Sequence, residues 1–98
     1  MFSHTVLFEI APKEVPAYRR DCKMWARYAS KARGCIAFFI MKRADYKNQY
    51  ASVYQWRSKA DHDRFMKKFH EWLADKSESK VKVLGFYNLN SILHIKPA

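Results

Sequence analysis

The sequence predicts an α+β fold in which one antiparallel sheet carries two helices on a single face. Three observations lead there. Four stretches show strand-period side chains, and two stretches repeat apolar residues at helical spacing. The stretches follow one another as β-α-β-β-α-β, the ferredoxin-like split βαβ order. Only 2 Gly and 3 Pro occur in 98 residues, which favours regular elements on short loops over disorder.

The first strand is expected over Phe2 to Ile10. Phe2, His4, Val6, Phe8 and Ile10 share one face, and Ser3, Thr5, Leu7 and Glu9 share the other. Ala11-Pro12-Lys13 ends it. The first helix is expected from about Glu14 to Ala32, with Pro16 in its first turn, where a missing N–H costs little. Val15, Tyr18, Cys22, Trp25, Ala29 and Ala32 form its apolar stripe, and Arg19, Lys23, Arg27 and Lys31 a charged side. Gly34 is the expected stop. A second strand runs from Cys35 to Arg43, with Cys35, Ala37, Phe39 and Met41 alternating against Ile36, Phe38 and Ile40. Both sets are apolar, so both faces of this strand are expected to be covered. A polar turn leads into the third strand, Gln49 to Arg57, making an antiparallel hairpin. Ser58 and Asp61 then mark the start of a helix over Lys59 to Lys76. In it Phe65, Phe69, Trp72 and Leu73 share a face. The tail from Lys80 to Ile95 reads as an interrupted fourth strand, with Gly85 as a bulge or turn and Ser91 to Ile95 extended.

Two helices cover one sheet face only, so the other face calls for a second copy packed sheet to sheet, leaving an apolar chamber beneath the helices of each subunit. The aromatic content, 7 Phe, 6 Tyr and 3 Trp, is more than a small monomer hides easily and points the same way. Residues 1–98 are expected to form a single domain. No apolar run approaches a membrane span, and no signal-peptide pattern opens the chain, so no membrane association and a cytoplasmic location are expected. Cys22 and Cys35 lack metal or redox spacing and read as free thiols. The net charge of +10 admits a polyanion partner such as nucleic acid, or a solvated basic surface. No nucleic-acid-binding motif accompanies it, which makes nucleic acid the less favoured partner.

The stretch VYQWRSKADHDRFMKKFHEWL, with Tyr54, Trp56, Ser58, His70 and Trp72, resembles the dimeric α+β barrel superfamily and, within it, the antibiotic biosynthesis monooxygenase-like proteins. Those proteins tend to show an aromatic-rich third strand, a Ser/Asp/Glu helix start, and a second helix carrying His and an aromatic residue. Phe38-Phe39, just after Gly34, is similar to the family's glycine-hydrophobic entry into strand two. The resemblance implies one dimeric α+β barrel domain over residues 1–98 and a homodimer. It also implies a cofactor-free monooxygenase acting on a small aromatic or quinone-type molecule. Departures are visible. Phe65 stands where many members carry a histidine. The haem-degrading branch is not matched, since Phe65 and Asp75 occupy its tryptophan and histidine positions and His4-Thr5 its asparagine position.

Among individual residues, His62 falls beside Phe65, Phe69 and Leu73 on the helical wheel and is the first candidate for handling a proton; a backbone-bonded helix-end histidine is the competing reading. His70, on the flank of the stripe, is the second. Tyr54 and Trp56 are candidates for a wall against an aromatic ligand, with Phe65 and Phe69 completing it; core or dimer packing is the alternative. His4 reads as a buried, hydrogen-bonded histidine. Asp61 and Asp63 flank His62, but adjacent helix positions do not face one another. No metal-ligand spacing, phosphate loop or nucleophile motif occurs. A non-enzymatic binder of a small hydrophobic ligand and a basic nucleic-acid-associated dimer remain the alternatives.

Overall fold

The computed structural model describes residues 1–98. Its elements are β1 (Phe2–Glu9), α1 (Val15–Ala29), β2 (Cys35–Lys42), β3 (Gln49–Trp56), α2 (Lys59–Lys76) and β4 (Lys82–Asn90), with a single 3-10 turn over Pro12–Glu14. The strands hydrogen-bond in the order β2-β3-β1-β4, and every neighbouring pair is antiparallel. This is the ferredoxin-like arrangement that the element order predicts.

Local chemistry explains most boundaries. α1 begins one residue later than expected because Pro12–Glu14 turns more tightly, and it ends at Ala29. Ser58 caps α2, accepting a hydrogen bond from the Asp61 amide at 3.2 Å. Gly34 has φ +86°, and a Cβ there would run into the Asp61 carboxylate. Glycine at this position therefore lets the loop before β2 lie directly against the first turn of α2. Asn48, the other residue in the left-handed region, closes the β2–β3 connection and accepts from Ile10 N at 2.8 Å.

Two expectations fail. The alternation through the second strand breaks at a bulge between Cys35 and Ala37, where Ile36 is the extra residue. Beyond it Phe38 and Ile40 face the helices and pack against the Ile10, Tyr18 and Cys22 cluster, while Ala37, Phe39 and Met41 face away. The expected grouping of Cys35 with Ala37, Phe39 and Met41 is therefore wrong: Cys35 packs on the helix side. The fourth strand stops at Asn90, so Ser91 to Ile95 is not strand. Ser91 N still donates to Met1 O at 2.9 Å, but the residues after it pair with no strand, and Ile92, Leu93 and Ile95 stand in solvent. A second bulge, between Leu7 and Phe8 of β1, displaces β4 near Gly85.

The core has two centres. Phe2, Ala29, Trp56, Phe65 and Leu73 form one, with Trp56, Ala29 and Leu73 completely buried. Ile10, Tyr18 and Cys22 form the other, at the opposite end of the helices. Fully burying a side chain of this kind contributes about 1.5–3 kcal/mol. The sheet face away from the helices stays uncovered. Phe39, Met41, Tyr87 and Leu89 are 38–59% exposed there, and Phe39 and Tyr87 lie in one cross-strand row with Val53 and Thr5 between them.

Candidate functional site

Between the sheet and the helices, linking the two core centres, lies a cavity of about 320 Å³ with mostly apolar walls. Period-two geometry supplies its floor: His4, Val6 and Phe8 from β1, Ser52, Tyr54 and Trp56 from β3. α2 contributes His62, Phe65 and His70 to the opposite wall, and α1 contributes Tyr18, Cys22 and Trp25.

One end is a histidine cluster. Strand pairing sets His4 directly opposite Tyr54 on β3 and Asn88 on β4. The His4 ring lies 4.6 Å from the ring of His62, centre to centre. Phe2 and Trp56 stand against the same imidazole at 5.1 and 6.2 Å. His62 Nδ1 is 2.9 Å from a carboxylate oxygen of Asp63. A carboxylate only accepts, so Nδ1 carries the proton, and in the neutral ring Nε2 is left as a lone pair. That Nε2 is buried and has no partner, and the same is true of Trp56 Nε1. Burial pushes the His62 pKa below its usual value, the Asp63 hydrogen bond opposes that, and His4 adds to the lowering. His62 is therefore neutral at pH 7. His4 Nδ1 bonds Asn88 Oδ1 at 2.6 Å.

The other end is built from hydroxyls and a carboxylate. The Tyr18 and Ser52 hydroxyls share a short hydrogen bond. Burial raises the Tyr18 phenol, the Tyr54 phenol and the Cys22 thiol, so all three stay protonated. Buried Asp21 accepts from the Ser79 amide at 2.8 Å, the Ser79 hydroxyl at 2.6 Å and the Glu78 amide at 3.0 Å. Trp25 Nε1 donates to Ser77 Oγ at 2.9 Å, and Ser77 donates in turn to Leu73 O. These bonds tie the loop after α2 across α1 and close the cavity at that side.

Of the residues singled out from sequence, Tyr54, Trp56, His62, Phe65 and His70 all line this cavity. Phe69 does not. It lies against Tyr28 and Trp72 on the outer side of Phe65. His70 is exposed at the residue level and packs edge-on to Trp25 at 5.8 Å. The expectation that neighbouring helix positions keep apart fails at His62 and Asp63, whose side chains bend toward each other in the first turns of α2. Sequence reasoning missed His4, Tyr18, Ser52 and Asp21 as wall residues. His4 was legible on the inner face of β1; its meeting with His62 depends on which strand lies beneath α2. No group of three or more His, Cys, Asp or Glu side chains is placed to hold a metal.

A split βαβ sheet with an apolar cavity under its helices defines a small α+β protein of the ferredoxin-like class. The family profile for antibiotic biosynthesis monooxygenase matches residues 1–72, and the chain belongs to that family. Its fold is similar to that of a mutant of SnoaB, a cofactor-independent oxygenase from Streptomyces nogalater, at TM-score 0.76 and 10% identity over 98% of this chain and 97% of that one. It is also similar to MupZ from Pseudomonas fluorescens, at TM-score 0.74 and 13% identity over 89% and 69%. Rv0793 from Mycobacterium tuberculosis aligns at TM-score 0.70 and 13% identity over 97% and 98%. No curated protein matches the sequence. No helix is long and apolar enough to cross a membrane.

Proposed function

We propose that the protein is a cofactor-independent monooxygenase that oxidises a small aromatic phenol, quinol or anthrone in the cavity above Trp56, and that it works as a homodimer. The observation that carries this reading is the neutral His62 imidazole in the wall of an apolar cavity, its Nε2 buried and without a partner, with the equally buried and unpartnered Nε1–H on the Trp56 ring, 6.2 Å away centre to centre. An imidazole whose Nδ1–H is fixed on Asp63 presents a lone pair suited to general base work. His62 takes the proton from an acidic O–H or benzylic C–H of the substrate. The resulting delocalised anion is electron-rich enough to reduce dioxygen directly. For an anthrone the sum is CH2 plus O2 giving C=O plus H2O, so one oxygen atom enters the product and the other leaves as water. Trp56 Nε1–H, buried just behind the wall, donates to the substrate oxyanion once the neighbouring rings shift to expose it, and Tyr54 and Phe65 hold the ring system. His70, exposed and packed on Trp25, takes part at the wall, as a second proton carrier toward solvent. The homodimer is supported by the uncovered apolar row on the sheet and by the exposed apolar tail after β4.

The test is anthrone turnover, followed by absorbance and oxygen consumption, with ligand binding followed by tryptophan fluorescence. His62→Gln is expected to lower kcat by about 10²–10⁴-fold with little change in Kd. His70→Gln is expected to have a smaller effect. In the unsubstituted enzyme kcat/KM rises with pH through the lowered His62 pKa and then levels off, because only the neutral imidazole accepts a proton. A His62→Gln variant with full turnover would remove the assignment. Tight ligand binding by the unsubstituted protein with no oxygen uptake would instead make it a non-enzymatic binder using the same cavity.

A further inference from the structure

On the far side of Phe65 from the main cavity lies a second cleft, of about 360 Å³, between the end of α1 and the first half of α2. Tyr28, Phe65 and Phe69 supply its apolar wall, and Lys31, Arg33, Arg64 and Lys68 surround it. Its one acid, Asp61, is bonded to Arg64 at 2.8 Å. The ion pairs of the molecule are Arg43–Asp45, Lys59–Asp63, His62–Asp63 and Arg64–Asp61, so Lys31, Arg33 and Lys68 have no acidic partner within 4 Å, although Arg33 is near enough to Asp61 to help hold its carboxyl below the usual range. Lys68 lies over the Phe69 ring at 5.3 Å. Like charges around one cleft repel one another in the free protein, and an anion placed among them relieves that repulsion.

We propose that this cleft is a binding site for an aromatic anion, a ring-bearing phosphate or carboxylate whose charged group sits among Lys31, Arg33 and Lys68 while its ring lies against Tyr28 and Phe69. The helices lie on the opposite side of the sheet from its uncovered face, so a sheet-to-sheet dimer leaves the cleft open. Phe65 is common to both sites, with Trp56 5.3 Å from its ring on one side and Phe69 5.3 Å away on the other. A ligand in the cleft therefore presses on a wall of the main cavity. The site needs nothing from the oxygenase reading and stands or falls separately from it.

The probes are phenyl phosphate, benzoate and inorganic phosphate, titrated by calorimetry and by amide chemical shifts. At least one of the two aromatic probes is expected to bind more tightly than inorganic phosphate, to shift the amides around Tyr28 and Phe69, and to weaken as salt rises. Lys31→Gln, Arg33→Gln and Lys68→Gln are each expected to weaken it by about tenfold, the loss of one charged hydrogen bond. All three positions are exposed, and the melting temperature of each variant reports whether the fold is intact. Failure of both aromatic probes to bind overturns the proposal, as does equal affinity for inorganic phosphate. Binding that Arg19→Gln, Lys23→Gln and Arg27→Gln weaken as strongly also overturns it, in favour of a diffuse basic face. A single-stranded oligonucleotide that displaces the aromatic probe and responds equally to both sets of substitutions overturns it on the same ground.

Discussion

Asp21 closes the molecule around its cavity, and Asp21→Ala measures how much that closure contributes. The carboxylate is buried on α1 and accepts two amides and one hydroxyl from the loop after α2. A hydrogen bond to a charged group contributes about 1.5–3 kcal/mol. The Ser79 hydroxyl can rotate to water when its partner is lost, so the net cost falls on the Glu78 and Ser79 amides and, at the low end of that range for each, comes to about 3 kcal/mol. For a domain of this size 1 kcal/mol shifts Tm by about 4–8 °C, so the expected fall is about 12–24 °C. Asp21→Asn keeps an acceptor oxygen but turns an NH2 group toward the same donors, and is expected to fall between. The assay is far-UV circular dichroism on heating at fixed protein concentration, with a urea titration whose slope is unchanged between variants. A shift for Asp21→Ala of less than about 3 °C, the size expected of a surface substitution, would refute the reasoning.

Gly34→Ala combines a left-handed backbone with a Cβ placed on the Asp61 carboxylate, and is expected to cost more than about 2 kcal/mol by denaturant titration. The His62 pKa is lowered in the folded chain, so below about pH 6.5 the unfolded chain takes up a proton that the folded chain resists. Stability is expected to fall as pH drops from there toward the folded-state value, and His62→Gln to flatten that part of the profile; identical profiles would contradict the burial of this ring. Leu89→Lys places a charge on the uncovered sheet face, which is more than half exposed at that residue. It is expected to convert a dimer to monomers in sedimentation without lowering helix content, and a parent protein that already sediments as a monomer would rule out the sheet-to-sheet pairing.

Much of the architecture was legible because its signals are local. The Ser58 cap, Pro16 in the first turn of α1 and the helical spacing of Phe65 and Leu73 each act within a few residues. The alternation of Tyr50, Ser52, Tyr54 and Trp56 likewise placed four side chains on the helix face of β3, and Ser52, Tyr54 and Trp56 line the cavity. Where the reading failed, a distant neighbour decided. The bulge at Ile36 is invisible in a strand whose residues are apolar on both sides, since no polar residue marks the change of face. Ser91 to Ile95 has strand-like composition, but beyond the Ser91–Met1 bond no strand lies beside it.

The residues alone determined which side of α1, β1 and β3 turns inward, because a backbone repeat of fixed period needs only nearby side chains to declare it. They did not determine who meets whom. His4 reaches His62, Asp21 reaches Ser79 and Tyr18 reaches Ser52 only once strand order, register and helix placement are set. Those depend on packing between segments far apart in the chain, and the histidine end of the cavity is made by that packing.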